Sequence, residues 1–264
     1  MTAPTLLDVD LPSTIPGASP ALRGVLGIPA GTGPWPAIVM VHEAFGLDAV
    51  MRRQVERMTA AGFLTLMPDL YTAGSTRHRL TATFRAISAG HGRVFDDVET
   101  ARRFLAARSD FGGGMGLIGF CMGGGFALVA ASGHGFDAAS VNYGVLPKDI
   151  ESTLTGACPV VASYGRRDLT QRGSAITLER TLTKLDIPHD VKEYPAAGHA
   201  FLNEDEAGPA ALRPIMKAII GVGPEPGSAQ DAWRRIDGFF REHLNAPAAA
   251  DAGTRHGSDG PEAG

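Results

Sequence analysis

The feature that most constrains this chain is a Gly-x-Cys-x-Gly pentapeptide at residues 119–123, directly after a short apolar run at residues 115–118. A strand that turns this sharply into a helix holds the central residue in a strained conformation, and glycines two positions away avoid collisions between strand and helix. The pattern predicts a nucleophile elbow with Cys121 replacing the usual serine. Residues 124–131 are small and apolar, which predicts a packed helix whose N-terminus favours the thiolate. The alternative is a glycine-rich turn with an inert, buried cysteine.

Composition argues against several classes of partner. In a chain of 264 residues, 44% hydrophobic and 20% charged side chains are enough for one large buried core. The net charge of −4 lacks the basic footprint of nucleic-acid binding, so we expect no nucleic-acid partner. No apolar run approaches the length of a membrane span, the N-terminus has no signal-peptide pattern, and two cysteines are too few for a disulfide framework. We therefore expect a cytoplasmic protein with no membrane partner.

Strand and helix patterns alternate along the chain. Continuous apolar runs predict strands buried on both faces, and apolar residues at helical spacing predict the helices between them. The predicted strands are residues 37–41, 63–67, 115–118, 138–143, 159–164 and 190–194. The predicted helices are residues 48–61, 75–90, 95–107, 124–131, 174–185 and 232–244. This order predicts an α/β fold with a mostly parallel central sheet and helices on both faces.

One domain is expected over residues 1–245, because no linker separates two core-sized segments. Residues 203–230 are rich in Glu, Asp, Gly and Pro around a short apolar patch, which predicts a flap or insertion before the last helix. Residues 246–264 contain no large apolar side chain, which predicts a disordered C-terminal tail.

A thiol nucleophile needs a base, and the base needs an acid that orients it. Asp168 follows the predicted strand at 159–164, and His199 follows the one at 190–194. Both lie where parallel strands end, which is the ligand-binding edge of an open sheet, and their order after the cysteine is that of an acid and a base. Taken alone, Asp168 could equally cap the next turn, and His199 could be a histidine of a surface loop. The other histidines fit the base less well; His42, for example, precedes the elbow.

Glu43 ends the first buried strand in an apolar stretch, where a carboxylate without partners is costly. One interpretation places it in the N-cap region of the following helix. The other places it beside the thiol, where it accepts the thiol proton or fixes the thiol rotamer. In that case the backbone N–H groups of Ala44 and Met122 form the natural oxyanion pair.

Five segments together resemble the dienelactone hydrolase family, also called carboxymethylenebutenolidases. They are residues 41–47 (Val-His-Glu-Ala-Phe-Gly-Leu), 68–71 (Pro-Asp-Leu-Tyr), 119–124 (Gly-Phe-Cys-Met-Gly-Gly), 164–168 (Tyr-Gly-Arg-Arg-Asp) and 198–201 (Gly-His-Ala-Phe). The resemblance implies an α/β-hydrolase fold and a Cys-His-Asp triad. In that triad Cys121 is the nucleophile, His199 the general base and then acid, and Asp168 its orienter, while Glu43 modulates the thiol. It also implies that a lactone or ester acylates the cysteine and that water hydrolyses the thioester, with no metal or cofactor.

The same resemblance guides the expected substrate contacts. Well-studied family members hold a substrate carboxylate with two arginines, and the position four residues after the base is Asn203 here. Arg79 is a candidate for the other arginine, and Tyr71 lies just before that helical segment as a further contact. Losing one charge-assisted contact weakens carboxylate binding by about 1.5–3 kcal/mol. We therefore expect the small-molecule substrate to be a neutral or larger lactone or ester.

Two other functions stay open at this point. One is a general carboxylesterase or thioesterase, because its catalytic groups would be the same. The other is a non-catalytic or redox-sensing protein on this scaffold, although every triad residue type is present and Cys158 reads as a core residue. The sequence has no interface signature, so the expected state is a monomer or a small homo-oligomer.

Overall fold

An eight-stranded sheet forms the centre of the computed structural model. The structure describes residues 4–72, 76–205, 214, 217 and 221–244, with residues 76–79 described as backbone only. The strands are β1 (Thr5–Leu11), β2 (Leu22–Ile28), β3 (Trp35–Val41), β4 (Leu64–Pro68), β5 (Phe111–Phe120), β6 (Ala138–Asn142), β7 (Val160–Gly165) and β8 (His189–Tyr194). The helices are α1 (Ala49–Ala60), α2 (Thr76–Ala89), α3 (Arg93–Ala106), α4 (Met122–Ala130), α5 (Ile150–Leu154), α6 (Ser174–Lys184) and α7 (Pro226–Leu244). None of the helices in the described part of the chain combines the length and apolar character that crossing a membrane requires.

The strand order is β1-β2-β4-β3-β5-β6-β7-β8, and β3 to β8 run parallel to one another. The predicted mostly parallel sheet is therefore confirmed. Side chains along β3 alternate between the two faces, as the strand period of two requires. Ala37, Val39 and Val41 belong to the core cluster that includes side chains of α3, α4 and α6, whereas Ile38 and Met40 belong to the cluster that includes side chains of α1 and α7. Because both faces are covered, the central strands are apolar throughout.

Three elements were not predicted from the sequence: the antiparallel pair β1 and β2, and the short helix α5. β1 is an edge strand whose side chains are mostly exposed, so polar residues such as Asp8 and Asp10 interrupt any apolar run. β2 pairs antiparallel with β4 and extends the sheet beyond its parallel part. α5 has five residues, which is too short for a helical period to be recognised.

The closing helix α7 begins at Pro226 rather than at residue 232 as predicted. The carboxylate of Glu225 caps its first turn, accepting the N–H groups of Gly227 at 3.3 Å and Ser228 at 2.8 Å. Proline is tolerated there because the first helical N–H groups have no intrahelical acceptor. The end of the predicted flap is therefore helical. Residues 206–213, 215–216 and 218–220 of that flap, and the predicted tail at 246–264, lie outside the described residues, so the domain boundaries stay predictions.

Candidate active site

Cys121 lies at the turn from β5 into α4, with φ +54° and ψ −113°. A positive φ strains a residue that carries a side chain, at a cost of about 1–3 kcal/mol. Two glycines make the turn possible. A Cβ on Gly119 would lie 1.9 Å from the carbonyl oxygen of Gly123, and a Cβ on Gly123 would lie 2.3 Å from the carbonyl oxygen of Val41. The Cys121 N–H donates to the carbonyl oxygen of Asn142 at 3.0 Å, which ties the elbow to β6.

His199 and Asp168 lie in the loops that follow β8 and β7, and their side chains meet. Nδ1 of His199 is 2.5 Å from Oδ2 of Asp168, and a carboxylate only accepts, so Nδ1 carries the proton. Oδ1 of Asp168 accepts the Thr170 N–H at 3.0 Å and the Thr170 hydroxyl at 2.6 Å. Asp168 therefore caps the 3₁₀ turn at Leu169–Gln171 with one oxygen and holds the imidazole with the other.

The Cys121 side chain completes a line of three groups, because it lies beside the His199 ring and interacts with it electrostatically. Since Nδ1 faces Asp168, the ring nitrogen left for the sulfur is Nε2. Burial alone would lower the pKa of His199, but the Cys121 sulfur and the Asp168 carboxylate outweigh burial and raise that pKa to about 10. Burial would raise the pKa of Asp168, but the hydrogen bond and charge of His199, together with Thr170, lower it. The arrangement stabilises a protonated imidazole between two partners that can be negative.

Glu43 follows β3 and is buried, with 3% of its surface exposed. Its Oε1 accepts the Tyr143 hydroxyl at 3.2 Å and the Asn203 amide at 3.1 Å. Burial raises the pKa of Glu43, because an ionised carboxylate loses its hydration there. The N-cap interpretation of Glu43 is wrong, since α1 is capped by Asp48, whose Oδ1 accepts the Met51 N–H at 2.9 Å. The other interpretation, in which Glu43 acts on the thiol, stays a prediction.

Asn203 is buried and engaged within the protein. Its Nδ2 donates to Glu43, and its Oδ1 accepts the Gln54 side-chain amide at 3.2 Å. Gln54 lies on α1 and also donates to the carbonyl oxygen of Leu202 at 3.1 Å, which fixes the orientation of both amides. Sequence reasoning expected Asn203 to contact a substrate, and that contact stays a prediction. In the structure the Asn203 amide donates to the buried carboxylate of Glu43.

The predicted oxyanion donors lie on two neighbouring loops. Met122 is the first residue of α4, so its N–H has no acceptor within the helix, and Ala44 lies in the turn after β3. Tyr71, which follows β4, contacts both residues: its hydroxyl lies 3.2 Å from the carbonyl oxygen of Ala44 and 3.5 Å from the sulfur of Met122. The predicted substrate contact of Tyr71 stays a prediction, but its hydroxyl links the two loops.

Other predictions are not tested by the structure. Arg79 lies on α2, and its side chain is outside the described residues, so its contact with a substrate stays a prediction. The cytoplasmic location and the oligomeric state are likewise untested. Within the described ranges, no three His, Cys, Asp or Glu side chains are grouped as ligands for a metal ion.

Three side chains of the site were missed in the sequence: Tyr143, Gln54 and Thr170. Tyr143 directly follows β6, so the rule that polar residues at strand ends form the site would have found it. It lies close to the predicted base, with 5.1 Å between its ring centre and that of His199. Gln54 and Thr170 carry no comparable signal, because their roles depend on which loops meet.

Comparison with known proteins identifies the family. The sequence model of the Dienelactone hydrolase family matches residues 22–244. The chain belongs to this family. The carboxymethylenebutenolidase of Rhodococcus opacus is 27% identical over 251 residues, covering 89% of this chain and 91% of that protein. The carboxymethylenebutenolidase of Pseudomonas putida is 30% identical over 195 residues, covering 70% of this chain and 82% of that protein.

Solved structures agree on the fold of this dienelactone hydrolase family member. The dienelactone hydrolase from Anabaena variabilis superposes with a TM-score of 0.66 at 23% identity, covering 92% of this chain and 100% of that chain. The α/β-hydrolase fold implied by the sequence motifs is thereby confirmed. The chain is a member of a hydrolase family that acts on small molecules.

Proposed function

We propose that this protein hydrolyses a lactone or a carboxylic ester through a thioester formed on Cys121. One observation carries the proposal: Cys121 lies on a strained elbow beside His199, whose Nδ1 is 2.5 Å from the carboxylate of Asp168. Nucleophile, base and orienting acid in this order are the arrangement required for acyl transfer. In a non-catalytic protein, the function would not require Cys121, His199 and Asp168 to lie together in this order.

In the acylation step the Cys121 sulfur attacks the carbonyl carbon while its proton resides on Nε2 of His199. The carbonyl oxygen becomes an oxyanion, and the N–H groups of Ala44 and Met122 donate to it. Collapse of this intermediate breaks the carbon–oxygen bond, and His199 gives its proton to the leaving alkoxide. A water molecule then gives a proton to His199 and attacks the thioester carbon. Expulsion of the sulfur releases the acid, and the proton returns to the thiolate.

Glu43 modulates the thiol in this proposal. Its carboxyl group is buried next to His199, which acts on it as an opposing charge. The raised pKa of Glu43 favours a neutral carboxyl at rest, so that little negative charge competes with the thiolate for the imidazolium. Tyr143 and Asn203 hold Oε1 in place while the charge on the sulfur changes.

The preferred acyl group carries no carboxylate in this proposal. Asn203 is neutral, and its buried amide donates to Glu43 and accepts from Gln54, so it brings no positive charge to a substrate carboxylate. The two basic side chains of α1 that face this segment are also paired: Arg53 with Asp205 at 2.5 Å and Arg57 with Glu204 at 2.9 Å.

Exposed apolar side chains next to the site support a neutral substrate. Phe45, Val145 and Leu169 are 36%, 56% and 57% exposed. Each lies one or two residues after a residue of the candidate site, namely Glu43, Tyr143 and Asp168. All three therefore lie at the edge of the sheet where the strands that bear the site end. Burying apolar surface there contributes about 25 cal/mol per Å² to substrate binding. An acyl or alcohol group with an apolar chain gains this contribution, whereas a carboxylate does not.

The first experiment measures initial rates on p-nitrophenyl acetate, p-nitrophenyl butyrate and a carboxylate-bearing dienelactone. Cys121→Ala should lower kcat/KM by about 10³-fold or more. Cys158→Ala is the matched control, because this half-buried thiol, whose pKa burial raises to about 12, should leave the rates unchanged. Intact mass spectrometry should detect one acetyl group on the wild type and none on Cys121→Ala. Full activity of Cys121→Ala would refute the proposed nucleophile.

The same substrates test the acyl preference. We expect a higher kcat/KM for the butyrate ester than for the dienelactone. Val145→Asp should lower the rate for butyrate more than for acetate, because it places a charge beside the apolar chain. Ile176→Asp is its control, since Ile176 is 49% exposed and lies within helix α6 rather than in a loop at the strand ends. A dienelactone rate far above the butyrate rate would refute the preference for a neutral acyl group.

A further inference from the structure

His42 lies between β3 and Glu43 and is fully buried. The mechanism proposed above does not use this ring, although it is adjacent to Glu43. Its edge meets the ring of Tyr71, with 4.9 Å between the ring centres. A buried imidazole needs partners for both nitrogens, and both partners of His42 are backbone groups.

The two partners define the tautomer of the ring. Burial lowers the pKa of His42, so the ring is neutral and carries one N–H. The Leu70 N–H can only donate, and it lies 3.2 Å from Nε2, which must therefore accept. The proton is then on Nδ1, which donates to the carbonyl oxygen of Glu43 at 2.7 Å.

This hydrogen bond acts on the peptide that precedes Ala44. The Glu43 carbonyl and the Ala44 N–H belong to one planar trans peptide and point in opposite directions, so fixing one fixes the other. The Gly46 N–H donates to the same carbonyl at 3.1 Å. On the other side of Ala44, its own carbonyl oxygen accepts from the Tyr71 hydroxyl at 3.2 Å. Both peptide planes of Ala44 are thus held from outside the turn.

We propose that His42 is a positioning residue that aims the Ala44 N–H at the substrate oxyanion by anchoring the Glu43 carbonyl to the loop after β4. The inference rests on the proposed function, in which that N–H is an oxyanion donor. Because the ring also accepts from Leu70, the direction of the N–H is set by a rigid link between two loops. The Met122 N–H, by contrast, is fixed by its place at the start of α4.

Two substitutions separate the two nitrogens of His42. The amide of His42→Asn occupies the position of Nδ1 and retains a donor to the Glu43 carbonyl. The carbonyl of His42→Gln reaches the position of Nε2 and retains an acceptor for the Leu70 N–H, but leaves the Glu43 carbonyl without this donor. Acylation by p-nitrophenyl acetate needs the oxyanion donors, whereas alkylation of Cys121 by iodoacetamide does not. Measuring both rates distinguishes positioning of Ala44 from damage to the thiol.

We expect His42→Gln to lower the acylation kcat by about 10- to 100-fold at little change in KM, because one oxyanion donor is misdirected. His42→Asn should restore most of the loss, and both variants should be alkylated at the wild-type rate. If His42→Gln does not fold, His42→Met, which also lacks the donor, should give the same selective loss.

The positioning role would be overturned if His42→Gln or His42→Met were acylated at the wild-type rate. It would also be overturned if the alkylation rate fell as much as the acylation rate. In that case Cys121-dependent turnover by the wild type would leave the proposed function intact. A wild type that turns over none of the esters would instead refute the proposed function, and this inference with it.

Discussion

Replacing Asp168 with asparagine tests the proposed triad sharply, because size is kept and charge is lost. The two Thr170 donors at 3.0 and 2.6 Å require an acceptor, so the asparagine oxygen should take the Oδ1 position. The amide NH₂ then faces Nδ1 of His199, where the carboxylate now accepts at 2.5 Å. Two donors cannot pair, so the ring should move its proton to Nε2. In that tautomer the ring cannot accept the proton of Cys121.

The size of the expected rate loss follows from the lost hydrogen bond between Asp168 and His199. A hydrogen bond to a charged group contributes about 1.5–3 kcal/mol, which alone corresponds to a fall of about 10- to 150-fold in rate. The wrong tautomer adds to this, and the equivalent change in a serine triad lowers kcat by about 10⁴-fold. We therefore expect kcat/KM to fall by about 10²- to 10⁴-fold. The turn at Leu169–Gln171 should persist, because both Thr170 bonds are retained.

The assay is hydrolysis of p-nitrophenyl acetate by Asp168→Asn, with the melting temperature measured alongside. Asp149→Asn is the control, because Asp149 is exposed and its side chain makes no cap hydrogen bond. We expect the control to match the wild type in rate and melting temperature. A folded Asp168→Asn protein with a rate within about threefold of the wild type, a difference of less than 1 kcal/mol, would refute the orienting role.

Three further outcomes are expected. Gly119→Ala should destabilise the protein by about 3 kcal/mol in urea denaturation, because the new Cβ would lie 1.9 Å from the Gly123 carbonyl oxygen. The control Gly238→Ala, at a position in α7 with open space around it, should stabilise the protein by about 0.5–1 kcal/mol. Equal effects of the two substitutions would contradict the steric argument. Glu43→Gln, which keeps an acceptor oxygen, should lower kcat about 10²-fold with an unchanged melting temperature, and full activity would exclude the modulating role. The pKa of His199 rises from 6.5 to about 10 on folding, so its contribution to stability is complete below pH 6.5 and disappears as the pH rises through 10. Urea denaturation at pH 7 and pH 10 should therefore show a smaller loss of unfolding free energy for His199→Gln than for the wild type.

The fold could be predicted where burial leaves a mark on the sequence. The central strands are apolar on both faces, and the predicted strand at residues 37–41 matches the buried end of β3. β1 leaves no such mark, because an exposed edge strand needs polar residues. The start of α7 was missed because a cap by Glu225 and a proline in the first turn resemble a loop in composition.

The site could be predicted in part for a similar reason. A strained elbow needs glycines at fixed spacing, and strand ends mark where Glu43, Asp168 and His199 lie, so local patterns suffice for these residues. The partners that hold them are distant in the chain. Tyr143 and Glu43 are 100 residues apart, and Gln54 and Asn203 are 149 residues apart. No pattern along one chain reports which loops will meet.

The buried and exposed parts of this site have different tasks. Asp168, Glu43 and Asn203 are at most 3% exposed and accept or donate at least two hydrogen bonds each within the protein. Replacing any of them with an apolar side chain leaves a buried polar partner unsatisfied, so this part resists such substitutions. Phe45 and Val145 are exposed and can change without such a cost. Substrate preference can therefore change by substitution of these exposed residues while the proposed acyl-transfer geometry at the strand ends is retained.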